Sequence, residues 1–200
     1  YTSGRYRLKS RIVRGKPRAW MLQRDSRMRF TDLTPQRVDL DTGVELHYVR
    51  GGRPIGQGPL VILIHGAMGD WRAWAPQWGD FTAQYDCISY SRRYSYPNGN
   101  TMPSPDHGAF VDAEDLLGLM DALRIDRAIL VGSSYGAFTA LAVATIAPDR
   151  VIALAGVEPP MMRFAEMDPA GAKVAADFHE QTIVPSRDAF RRGDDEVGAT

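Results

Sequence analysis

The sequence predicts an α/β fold, a mostly parallel sheet with helices on both faces, preceded by a β-hairpin. Three observations carry this. Apolar runs of strand length alternate with segments of helical periodicity between residues 60 and 157, which is how a sheet with right-handed crossovers reads. One run passes through Gly132-Ser133-Ser134-Tyr135-Gly136 straight into an Ala-rich helical stretch. The composition, 44% hydrophobic and 24% charged over 200 residues, is that of a globular chain and excludes disordered, collagen-like and coiled-coil proteins.

The elements follow in order. Residues 37–50, RVDLDTGVELHYVR, alternate polar and apolar around Thr42-Gly43, a hairpin signal. Leu60–Ile64 is continuously apolar, as a strand buried on both faces must be. Trp74, Trp78 and Phe81 recur at helical spacing, and Pro76 is tolerated only in the first turn. Asp86–Tyr90 is a second short buried strand, followed by a polar loop over residues 91–107. Phe110, Ala113, Leu117 and Met120 mark one face of a helix. Ala128–Val131 is a third buried strand, Tyr135–Ala147 a helix stopped by Pro148, and Val151–Val157 a fourth buried strand.

Charge is balanced overall, with 24 basic and 24 acidic side chains, but it is unevenly placed. Residues 1–37 hold eleven basic side chains against Asp25 and Asp32, a surplus of nine positive charges. This basic N-terminal extension reads as a solvated arm folding back on an acidic body, an arm for an anionic partner, or an Arg-rich leader. Tyr6 and Leu8, alternating with Arg7 and Lys9, allow an edge strand there. No run of eighteen apolar residues exists, so no membrane span is predicted. A lone Cys87 excludes an internal disulfide and a cysteine-based metal site. His47 and His107 have no partner at metal-ligand spacing, so neither a metal nor any other cofactor is predicted. Cys87 reads as a small buried group. Trp71, Trp74 and Trp78 read as core and pocket wall, and Arg92 and Arg93 as loop anchors.

One segment carries chemistry. Gly-x-Ser-x-Gly at 132–136 stands between a buried strand and a helix, the context in which the pattern is specific. A serine that attacks a carbonyl must project from a sharp turn at the sheet edge. The two glycines remove side chains that would collide there. Ser134 then lies at a helix N-terminus, where negative charge is favoured, and the Tyr135 N–H can hold an oxyanion. His65-Gly66-Ala67-Met68-Gly69 closes the first buried strand at the same edge. Its Ala67 N–H is the candidate second donor. His65 is expected to support this loop and not to act as a base.

These segments resemble the N-terminal half of an α/β-hydrolase. The resemblance spans Val38 to about Pro160. It rests on the hairpin, HGAMG at 65–69, SRRYSYPN at 91–98, LRIDRAILVGSSYGA at 124–137 and GVEPP at 156–160. It implies Ser134 as nucleophile and Ala67 and Tyr135 as oxyanion donors. Serine at 134 argues against the dehalogenase and epoxide-hydrolase branches, which carry aspartate there. The family's chain order is nucleophile, acid, histidine. The one histidine after Ser134 is His179, in a segment that reads as an amphipathic helix, so the catalytic histidine is expected beyond residue 200. Glu158, just after the fourth strand, is the candidate acid, from a position that some branches use. A strand-end anchor is its other reading.

The expected organisation is therefore a basic extension at 1–37, the first part of a hydrolase core at 38–160 and the start of a helical cap at 161–200. The expected activity is a serine hydrolase cleaving an ester, lactone, thioester or related acyl bond of a small-molecule substrate. No nucleic acid is expected as a partner, a homo-oligomer is allowed, and the expected compartment is the cytoplasm. The alternative is a non-catalytic binding or scaffold module of the same fold that uses its basic arm.

Overall fold

A computed structural model describes residues 30–101, 107–160, 164 and 166–194. Tyr6 to Lys9, with the rest of residues 1–29, lie outside the described residues.

Among the described residues the sheet has six strands in the order β1-β2-β4-β3-β5-β6. β1 (Gln36–Asp39) and β2 (Glu45–Gly52) form the predicted hairpin, antiparallel, with Val38 opposite Leu46. β2 also pairs antiparallel with β4 (Asp86–Ser91). β4, β3 (Leu60–Ile64), β5 (Ala128–Ser133) and β6 (Val151–Val157) run parallel.

Helices cover both faces because side chains alternate along each strand. Ile62, Ile64, Ile88 and Leu130 pack with Leu116, Leu119, Met120, Ala140 and Val143 of α2 (Ala109–Ala122) and α3 (Tyr135–Ile146). Val61, Leu63, Cys87 and Val131 point the other way. They meet Trp71 and Trp74 of a 3-10 turn and Trp78 of α1 (Ala75–Thr82). Phe30 stacks on Trp71 at 5.0 Å and meets Trp78 edge-on at 5.3 Å, so the chain from Phe30 onward is part of this layer. Pro76 lies in the first turn of α1, as predicted. Cys87 is fully buried, and burial pushes its thiol up to about 12.

Two expectations need correction. Among the described residues β6 is not buried as expected: Ile152 and Val157 are 47% and 49% exposed. It is the outermost strand of the sheet, and nothing among the described residues covers its far edge. The buried face of α2 keeps Ala113 and Met120 of the predicted set, with Leu117 partly buried against the core, but it also takes in two aspartates and leaves out Phe110. Phe110 is exposed, and the buried stripe is Asp112, Ala113, Asp115, Leu116, Leu119 and Met120. Two aspartates on a core face hide that face from hydrophobic periodicity, and what makes them tolerable is ion pairing with arginines of a distant loop.

After β6 the described chain is helical again. α4 (Pro169–Phe178) continues through a π turn, His179–Ile183, into α5 (Val184–Arg192). Asp168 caps α4 by accepting from the amides of Ala170 and Gly171.

Candidate active site

Each of the four parallel strands delivers one residue to the same edge. The first residue after β3 is His65, after β4 Arg92, after β5 Ser134 and after β6 Glu158. The carboxyl edge of a parallel sheet is where α/β proteins place their ligand sites.

Ser134 occupies the predicted elbow. Its backbone has φ 51° and ψ −121°, a conformation that a non-glycine residue adopts only under constraint. The constraint is visible in the packing. A Cβ on Gly132 would stand 2.3 Å from the Gly136 carbonyl oxygen, and one on Gly136 2.3 Å from that of Ile64. Neither position accepts a side chain. The Ser134 amide donates to Val157 O at 2.8 Å, and Ser134 O accepts from Ala137 at 2.9 Å. Tyr135 is the first residue of α3, so its N–H has no acceptor one turn back in the helix.

The loop after β3 closes over the elbow. A Cβ on Gly66 would lie 3.2 Å from Ser134 Cβ and 3.4 Å from Ser133 O, so a side chain there would need the elbow to give by a few tenths of an ångström. The next two residues, Ala67 and Met68, are exposed, Met68 at 90%. Among the described residues no acceptor takes the Ala67 N–H.

His65 holds that loop from inside. Its Nε2 accepts from the Arg92 amide at 3.0 Å, so the ring proton sits on Nδ1, which donates to Gly66 O at 2.7 Å. Burial, with the positive charge of Arg92 behind it, depresses the imidazole to about 4. His65 is thus neutral at pH 7 with both nitrogens engaged, and it is not available as a base.

Arg92 and Arg93 both anchor their loop to α2. Arg93 makes a two-point ion pair with Asp115, at 2.7 and 2.6 Å. Arg92 Nη1 donates to Asp112 Oδ2 at 2.8 Å, and Asp112 Oδ2 also meets His107 Nε2 at 3.1 Å. Sequence reasoning overlooked Asp112 and its link to His107. The available signal was a pair of aspartates at i and i+3 inside an apolar helix.

Glu158 follows the strand neighbour of the elbow, with φ 50°. It is exposed, and no ion pair or hydrogen bond engages it among the described residues. Among these residues no histidine contacts the Ser134 hydroxyl either. His47 meets Asn98 at 2.9 Å, and His179 is exposed in the π turn. Among the described residues no group of three or more His, Cys, Asp or Glu side chains could hold a metal, and no helix is long and apolar enough to cross a membrane.

Comparison with known proteins agrees with this architecture. The model of the alpha/beta hydrolase fold family matches residues 59–185. Epoxide hydrolase B of Mycobacterium tuberculosis (strain ATCC 25618 / H37Rv) is 26% identical over 150 residues, which is 72% of this chain and 42% of that protein. A protein of Caulobacter sp. (strain K31) named "Putative carbamate hydrolase RutD" is 34% identical over 105 residues, 52% of this chain and 38% of that one. Among solved structures, Epoxide Hydrolase A from Mycobacterium thermoresistibile superposes with a TM-score of 0.56 at 27% identity, covering 62% of this chain and 38% of that one. The chain thus spans about two fifths of the curated relatives it matches.

Proposed function

The chain belongs to the alpha/beta hydrolase fold family, and from that membership we propose that it carries the nucleophile, the oxyanion donors and the acid of a serine hydrolase acting on an acyl bond. The observation that carries this reading is Ser134 itself: a serine, half-exposed and held at φ 51° between β5 and α3.

The identity of that residue selects among chemistries. A serine oxygen that opened an epoxide would form an ether, which offers water no carbonyl to attack, so turnover would stop after one event. On an ester, lactone, thioester or carbamate the same oxygen forms an acyl-enzyme that water can cleave. Several relatives bear the name epoxide hydrolase, and the serine at 134 favours a different substrate class for this chain. A carbamate, the compound class in the name of the Caulobacter relative, has a carbonyl of the kind a serine can attack.

In the proposed cycle the Ser134 oxygen bonds to the acyl carbon, and its proton passes to a histidine acting as general base. The carbonyl electron pair moves onto oxygen, where the N–H groups of Ala67 and Tyr135 hold it. Collapse expels the leaving group, which takes the proton from the histidine. Water then attacks the acyl-enzyme by the same route and frees Ser134. Glu158 orients the histidine and stabilises its charged form.

Labelling of the protein with a fluorophosphonate probe, followed by peptide mapping, tests the reading. Modification at Ser134 is expected. A protein that turns over p-nitrophenyl acetate without modification at Ser134 is not this kind of enzyme.

A further inference from the structure

We propose that Arg92 is a positioning residue that aims both oxyanion donors, an inference that rests on the acyl-enzyme reading above. The guanidinium reaches three elements at once. Nη1 donates to Asp112 of α2 at 2.8 Å, Nη2 donates to Gly66 O at 3.1 Å, and the carbon between them lies 4.7 Å from the centroid of the Tyr135 ring. Arg92 is 7% exposed and Asp112 1%. The cation is therefore held in place by a buried carboxylate and is not a mobile surface group.

The contact with Gly66 O matters because of the peptide it belongs to. That oxygen and the Ala67 N–H are two ends of one planar trans unit and point in opposite directions. Fixing the oxygen therefore fixes where the N–H points. Three donors converge on it: His65 Nδ1 at 2.7 Å, Arg92 Nη2 at 3.1 Å and the Gly69 amide at 3.3 Å. The cationic donor also draws electron density through the peptide, which makes the Ala67 N–H a stronger donor. On the other side, the cation–π contact seats the Tyr135 ring. Tyr135 carries the second N–H. One side chain thus sets the direction of one donor and braces the residue that bears the other.

The neighbouring arginine shows that anchoring the loop to α2 does not require this geometry. Arg93 makes a two-point pair with Asp115 and no hydrogen bond to the 65–69 loop. A lysine at 92 keeps the charge but is a single point donor, without the planar fork that reaches Asp112 and Gly66 O from two nitrogens while its face lies against the Tyr135 ring.

The test uses the full-length protein, p-nitrophenyl acetate as substrate, fluorophosphonate titration of active sites and a trifluoromethyl ketone, which forms an oxyanion on the enzyme. Arg92→Met/Asp112→Asn removes the pair together and leaves no unpaired buried charge. We expect kcat per titrated site to fall about 10–100-fold with KM within about twofold, since a misaimed donor is felt in the transition state. Affinity for the ketone should fall by the same factor. Arg92→Lys should lose about 10-fold, and it decides the question if the double variant does not fold. Arg93→Gln breaks an equivalent ion pair away from the loop. It should lower the melting temperature and leave kcat and ketone affinity unchanged. An unchanged kcat in the Arg92 variants, a loss confined to KM, or an equal kcat loss in Arg93→Gln overturns the role of Arg92. Failure of wild type to label at Ser134 overturns the acyl-enzyme reading, and this inference with it.

Discussion

The amide of Ser134 donates to the carbonyl of Val157 at 2.8 Å, extending the β5–β6 ladder by one residue into the elbow. The residue after Val157 is Glu158, so the candidate nucleophile and the candidate acid are separated by a single hydrogen bond and one peptide. Both have positive φ, 51° and 50°. Two adjacent strands thus end in constrained turns that face the same edge.

If Ser134 is the nucleophile, Ser134→Ala abolishes fluorophosphonate labelling and lowers kcat about 10³–10⁶-fold, because the serine and its base act as a unit. The folded state should be little changed, since the hydroxyl makes no hydrogen bond among the described residues. Rate and melting curve are measured together.

Glu158→Gln separates an acid from an anchor. As the acid, Glu158 sets the histidine tautomer and stabilises its cation, so turnover per titrated site should fall by up to about 10⁴-fold with KM nearly constant. The melting temperature should hold, because this exposed carboxylate has no partner to lose among the described residues. A lowered melting point with normal turnover returns Glu158 to an anchoring role.

Gly136→Ala tests the packing of the elbow. The added carbon would meet Ile64 O at 2.3 Å and His65 O at 2.5 Å, both backbone atoms that cannot move aside without shifting β3. Overpacking of this kind costs about 3 kcal/mol or more. A urea titration should show a lower midpoint or no folded protein. Gly193→Ala, where nothing lies within 4 Å but φ is +80°, should cost only about 1 kcal/mol.

His65 makes the protein acid-sensitive in a defined window. Burial lowers its folded value to about 4, against about 6.5 in the unfolded chain. Between these values the unfolded state binds the extra proton, so stability rises with pH there. The contribution is complete above about pH 6.5, is lost as pH falls, and changes no further below about 4. It amounts to about 3 kcal/mol over the whole window. Urea titrations at pH 7 and pH 4.5 should show His65→Gln losing less stability than wild type across that interval. Equal losses would mean that the ring charges freely in the folded state.

How much of this was legible in the sequence depended on how far apart the causes lie. The elbow could be read because its requirements are local. A strand, a sharp turn and a helix follow one another within a few residues, and Gly132 and Gly136 are demanded by backbone atoms of the turn itself and of β3. The hairpin, the four parallel strands and α1 with Pro76 in its first turn could be read for the same reason, since side-chain periodicity is a property of one segment.

What the tertiary structure decided involves residues distant in the chain. Asp112 and Asp115 lie on the buried face of α2 because Arg92 and Arg93 arrive from a loop some twenty residues away, so that face takes in two charged positions that apolar periodicity does not mark. β6 has the apolar run of a covered strand, yet among the described residues it is the outermost strand and no other segment lies along its far edge. His65 is neutral because burial, with the positive charge of Arg92 behind it, disfavours its protonated form, and the Arg92 amide fixes its tautomer. Local periodicity reports what a segment could bury. Which face is buried, and which charge is paired there, is fixed only when another segment arrives to complete the contact.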